Sequence, residues 1–116
     1  MQESNSRTFT ASEDIPANRL VKLDAAATVS IADVSTVAIG VSPNTPTASG
    51  DELPVRLLNS GGTIDMVCEA AVTLGSTVYG RNLGMVDDSS ADSAVAVGKA
   101  LQAGSGANSI IEVLPN

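Results

Sequence analysis

The apolar residues of this chain come in short runs, mostly of four to eight residues: TVSIAD, VAIGVS, ELPVRLL, STVYG, AVAVGKAL and SIIEVL among them. Pro, Gly, Asn, Asp and Ser separate the runs, as in SPNTPTASGD, NSGG and QAGSGAN. Within them apolar residues alternate, at Val37, Ile39 and Val41, at Leu53, Val55 and Leu57, and at Ile64, Met66 and Cys68. A period of two places those side chains on one face of an extended strand. Many short strands at turn-like intervals specify an all-β sandwich or barrel, and 116 residues suffice for one domain. Only ADSAVAVGKALQA, residues 91–103, competes as a helix; Gly98 and the valines at 95 and 97 favour a strand there. Pro43 and Pro46 place residues 42–52 in a loop, and Pro54 predicts an edge position or a bulge in its strand.

The chain also repeats itself. STVAIGVSPN at residues 35–44 and SAVAVGKALQ at residues 93–102 align at an offset of 58 residues, half the chain length. At the same offset Leu20 meets Val78, Val21 meets Tyr79, Leu53 meets Ile111 and Val55 meets Val113. Thr28 to Asp33 fits best on Leu83 to Asp88, a shift of about three residues. The reading is a compact β domain over residues 11–116, built from two pseudo-repeated halves at about 11–58 and 69–116. Val37, Ile39, Val95 and Val97 are expected in the core. Ala38 and Ala96, beside Gly40 and Gly98, are expected to let another backbone come close. The copies part at Val41 against Lys99, where the second is expected to meet solvent or a partner.

Composition narrows the function. The hydrophobic fraction is 43%, mostly Ala and Val, with one Phe, one Tyr and no Trp. Such a core is thin, and thin cores in small domains gain from oligomerisation or docking. The net charge of −7, with six scattered basic residues, argues against a nucleic-acid or anionic-membrane partner. Nor does any apolar run reach the ~18 residues of a membrane-spanning helix. Cys68 is the sole cysteine, so no intrachain disulfide forms, and its apolar surroundings mark a small core residue. Residues 1–10, MQESNSRTFT, are expected to be no leader but a flexible arm of a protein made in a cytoplasm, with Arg7 and Phe9 as its two anchoring side chains.

Catalytic chemistry is poorly supplied. With no histidine, imidazole bases, Ser-His-Asp or Cys-His triads and imidazole metal sites are excluded. GSTVYG lacks the G-x-S-x-G of a nucleophile elbow, and Gly98-Lys99 lacks the remainder of a phosphate loop. The acidic stretch DDSSAD, residues 87–92, has oxygen ligands for Ca²⁺ but no EF-hand Gly or terminal Glu, so it is read as a solvated turn. The expectation is a non-enzyme with no cofactor and no metal site.

The ordered motifs IPANRLVKLD, VAIGVS, SGDELPVRLL, AAVTLGSTVYGRN, LGMVDD, AVAVGKAL and IIEVLPN resemble the small capsid decoration (cement) proteins of tailed bacteriophages, a group sometimes mislabelled as recombinases. The resemblance covers roughly residue 10 to the C-terminus. It implies a β-barrel-like or β-tulip domain, usually trimeric, that sits on the outside of a phage head. Its implied partners are the major capsid protein and further copies of itself, bridged across neighbouring capsomers. In that setting Arg7 and Phe9 are the candidate capsid contacts. The alternative is a ligand- or carbohydrate-binding β module, for which Tyr79 is the sole stacking candidate.

Overall fold

The computed structural model describes residues 6–59 and 62–115. Among these residues are ten strands and two short 3₁₀ turns. β1 (Ser6–Ala11), β2 (Leu20–Ala25), β3 (Thr28–Ile31), β4 (Gly40–Val41) and β5 (Glu52–Leu57) form a closed barrel in the order β1-β3-β2-β4-β5. β6 (Ile64–Val67), β7 (Thr77–Gly80), β8 (Val86–Asp87), β9 (Ala96–Ala100) and β10 (Ile110–Pro115) form a second sheet in the order β6-β10-β9-β7-β8. Residues 91–103 contain strand β9, preceded by a 3₁₀ turn at Ala91–Ser93.

The strand order of the second sheet is that of the barrel, opened at one seam. Antiparallel pairing dominates, and the parallel pair β1–β3 closes the barrel at Thr10↔Thr28 and Ala11↔Val29. At the matching seam of the second sheet a single parallel bridge, Cys68↔Val86, joins β6 to β8. The isolated bridge Ile15↔Thr47 recurs as Val72↔Gly104, 57 residues later. Left-handed backbone recurs in the same places: Asn18 and Gly75, Ala27 and Gly84, Ser35 and Ser93, Gly50 and Asn108. In three of these pairs at least one copy is Gly or Asn, the residues that adopt positive φ most readily.

The register corrects the alignment. Val21↔Gly40 on β2–β4 corresponds to Val78↔Gly98 on β7–β9. The offset is therefore 57 residues through Val29 and Val86 and 58 at Ser35 and Ser93; it returns to 57 at Thr47 and Gly104 and is 58 again from Gly50 and Asn108. Val21 thus matches Val78, not Tyr79, and Thr28 to Asp33 is not shifted by three. One extra residue in the second copy, within the acidic turn after Val86, accounts for the first step, and the loop between β4 and β5 absorbs the later ones. The halves also begin earlier than residues 11 and 69, since β1 and β6 occupy equivalent places in the two sheets.

Inside the barrel lie Phe9, Ala11, Ile15, Val21, Val29, Leu53 and Val55. Their seven counterparts in the second half are Met66, Cys68, Val72, Val78, Val86, Ile111 and Val113, all in the other core cluster. That second cluster also takes in Leu20, Ala32 and Val41 from the first half. Leu20 and Val21 are neighbours on β2, so one faces each core, as a strand's alternation requires. Val97 is buried as expected; Ile39 and Val95 are half-buried. Val37 is not a core residue: it precedes β4 and is 70% exposed at the rim of a groove between the halves.

Gly40 and Gly98 do the same work. A Cβ on Gly40 would lie 2.4 Å from the carbonyl oxygen of Arg56, and one on Gly98 would lie 2.3 Å from that of Leu114. Both distances are far inside van der Waals contact, so both sites require glycine. Pro54 sits where β5 pairs with β1 (Thr8↔Pro54), while β4 reaches only Arg56 and Leu57. Its missing N–H therefore interrupts no observed ladder on the β4 side.

Candidate docking surface

The N-terminal segment is not an arm over its whole length. Residues 1–5 lie outside the described residues, and Ser6 to Thr10 belong to β1, paired in register with residues 52–56 of β5. Phe9 is 5% exposed and fills the barrel, so its ring is a core side chain rather than a surface anchor. A single aromatic in a polar segment reads as an anchor by sequence; burial in a barrel is the stronger use of its surface. Arg7 is exposed, and its guanidinium stands 5.3 Å from the centroid of the Phe9 ring, within cation–π range. The ring fixes the position of a surface cation.

The acidic turn after β8 is organised around Arg81. Its Nη1 donates to the Ala91 carbonyl at 2.8 Å, and its Nη2 meets Asp92 Oδ2 at 3.2 Å. Nε lies 3.6 Å from Asp87 Oδ1, which also accepts the Ser89 N–H at 2.9 Å. Arg81 and Asp87 are buried together while Asp92 is exposed. The carboxylates at the two ends of DDSSAD thus face a guanidinium, and the turn is an internal clasp. The sequence signal was present in an Arg six and eleven residues ahead of its two acids, but Arg81 read as one of several scattered bases.

Cys68 is buried at the seam of the second sheet. Burial pushes its thiol pKa up, and the carboxylates of Asp87 and then Asp88 push the same way. The thiolate a reactive cysteine needs is disfavoured three times over.

Two of the concavities formed by the described residues bear on the surface. The larger, an open hollow of about 420 Å³, lies at one end of the barrel between Asp14, Ile15, Pro16, Pro46, Thr47 and Ala48. Asp14 is its one charged residue, and Asp14 Oδ1 already accepts the Ser49 N–H at 2.9 Å. The smaller, about 80 Å³, is the groove between the halves, where Val37 and Ala38 face Val95 and Ala96. Tyr79, half-buried on β7, lines neither of these two.

What the surface does offer is apolar. Leu23, Val37, Leu74, Leu83, Leu101, Ile110 and Leu114 are all substantially exposed. Ile110 and Leu114 stand on β10 with Glu112 between them, whereas the barrel's equivalent strand β5 presents Glu52, Pro54 and Arg56. Exposed apolar side chains of this kind are available for contact with another protein where they form a continuous patch. Among the described residues no helix is long and apolar enough to cross a membrane.

The described residues thus combine two β units, an acidic turn clasped by Arg81 and several exposed apolar side chains. The model of the phage cement protein family matches residues 1–115, and the chain belongs to that family. Its role is accordingly that of a structural phage protein of the virion. The fold is similar to a solved structure described as the head fiber gp8.5 N base in bacteriophage phi29. That match has a TM-score of 0.77 and 16% sequence identity, covering 96% of this chain and 92% of the other. No curated protein matches the sequence.

Proposed function

We propose that this protein decorates the outer surface of a phage head, binding the major capsid protein and bridging neighbouring capsomers as a homotrimer, and that it stabilises the head by doing so. The observation that carries the reading is membership of the cement family over residues 1–115, joined to a surface rich in exposed apolar side chains. Binding energy in such a system comes from many copies, each contributing modest contacts, so no copy needs a deep pocket. The net charge of −7 favours solubility of the free protein before assembly.

Arg7 is the capsid contact we propose within the N-terminal segment, held by the Phe9 ring beneath it. Phe9 contributes by fixing Arg7 and by filling the barrel, not by touching the partner. The test mixes purified protein with undecorated heads and measures occupancy by electron microscopy and head survival on heating. Saturable occupancy with a rise in the rupture temperature supports the reading. Absence of binding at concentrations where the protein is folded refutes it. Arg7→Ala is expected to lower occupancy without changing the melting temperature of the free protein.

A further inference from the structure

The contact between the two halves is made by different faces of each. The first half supplies the start of β2: Arg19 Nη1 donates to the Leu83 carbonyl at 2.9 Å, and Leu20 enters the second core. The second half supplies residues 80–84, at whose glycines the first half comes close. A Cβ on Gly80 would stand 3.3 Å from Leu20 Cδ1, and one on Gly84 would stand 2.7 Å from the Leu20 carbonyl oxygen. Such a contact is heterologous, and each half carries a version of both faces. One of each is left over: residues 76–77 with Lys99 in the second half, and residues 23–27 in the first.

The leftover faces are altered in a matched way. Leu20 meeting Gly80 is a large side chain against an empty site; its leftover counterpart is Thr77 against Leu23, a small one against a filled site. Val41, buried inside, is replaced by exposed Lys99, and buried Arg81 by exposed Asp24. All of residues 23–27 are exposed, with Leu23 at 54%, whereas Gly80, Arg81 and Gly84 are buried. Leu74, Leu101 and Leu114 are exposed around Lys99, and Leu114 is its direct partner across β9–β10.

The geometry points to a second copy of this chain as the occupant: the Lys99 face of one copy docks head-to-tail on residues 23–27 of the next. This rests on the multi-copy reading above and supplies its surface. Size is exchanged between the two sides relative to the internal contact, and Lys99 brings a positive charge to Asp24. Lys22, half-buried on β2, is the one basic residue flanking the receiving stretch.

The test uses the full chain in solution, without heads, by light scattering and sedimentation. The wild type is expected to self-associate. Lys99→Glu and Leu23→Glu are each expected to weaken association by roughly tenfold or more. Asp24→Lys serves as a second receiving-face variant should Leu23→Glu fold poorly. Mixing Lys99→Glu with Leu23→Glu is expected to recover association, because one intact junction forms between the donating face of one variant and the receiving face of the other. A two-fold symmetric contact built from both residues would not be recovered in this way. A monomeric wild type, undiminished association in the variants, or a folded mixture that stays dissociated overturns the proposal. Binding of heads by a monomeric wild type would overturn it while leaving the capsid role standing.

Discussion

The first half closes on itself and the second does not. The barrel core draws on Phe9, Ala11, Ile15, Val21, Val29, Leu53 and Val55, all from the first half. The second half holds seven matching residues but completes its core with Leu20, Ala32 and Val41 borrowed from the barrel's outer surface. Two near-copies of one strand order thus carry different duties. The first core is self-sufficient, and the second is completed by three side chains of its neighbour. Small substitutions make the difference: a leucine for a threonine at position 20 against 77, and a valine for a lysine at 41 against 99.

This comparison can be broken most forcefully in the cores. Phe9→Ala is expected to cost about 3–5 kcal/mol and Met66→Ala about 2–5 kcal/mol in urea unfolding, since both side chains are buried at equivalent places. Equal costs would show that closure of the barrel adds nothing to how firmly its core is held. Next come Leu20→Ala and Thr77→Ala. The first is expected to cost about 2–4 kcal/mol and the second under about 0.5 kcal/mol, because only Leu20 is buried between the halves. Similar losses at both sites would deny the asymmetry.

Gly40→Ala and Gly98→Ala sharpen the likeness instead. Each is expected to destabilise by about 2–3 kcal/mol, and by similar amounts, because each new methyl meets a carbonyl oxygen of the adjacent strand. The smallest effect is expected from Cys68→Ala, which gives the second half the residue its counterpart Ala11 already has. It is expected to cost about 1 kcal/mol near neutral pH. It is also expected to flatten the pH dependence. The folded thiol titrates above its unfolded value, so its contribution is full below the unfolded thiol pKa and lost as pH rises through the folded one. Wild type minus variant, followed by urea midpoints from neutral to alkaline pH, isolates that slope. An unchanged difference across the range would mean that Cys68 is not desolvated as the structure shows.

Much of this architecture was legible in the sequence, and its failures are instructive. Strand type, the loop at Pro43 and Pro46, the close approaches at Gly40 and Gly98 and the divergence at Lys99 all follow from local chemistry. The register before Ser35 did not. With Ala, Val and Thr on both sides of short strands, Val21 aligns about as well with Tyr79 as with Val78, yet a one-residue slip exchanges the two faces of a strand. The inserted residue hides in a polar turn, where composition carries no register. Phe9 was misassigned because its neighbours are polar; pairing of β1 with a strand more than 40 residues away is invisible locally. The Arg81 clasp was missed for a similar reason, since a buried guanidinium is recognised by the carboxylates the fold brings to it. As for the docking surface, exposure of Leu23, Leu101 and Leu114 is a property of the folded chain, because the same residues would suit a core.

The borrowing of Leu20, Ala32 and Val41 also sets an order of events during synthesis. A chain leaving the ribosome has every residue of the first barrel core once Val55 has emerged, and domains form in the sequence in which they are made. The second half then meets a preformed wall carrying the three side chains that complete it. Nascent chains arrested after residue 59 should already protect Phe9 and Val21 from solvent, whereas the second half made alone has no surface on which to finish.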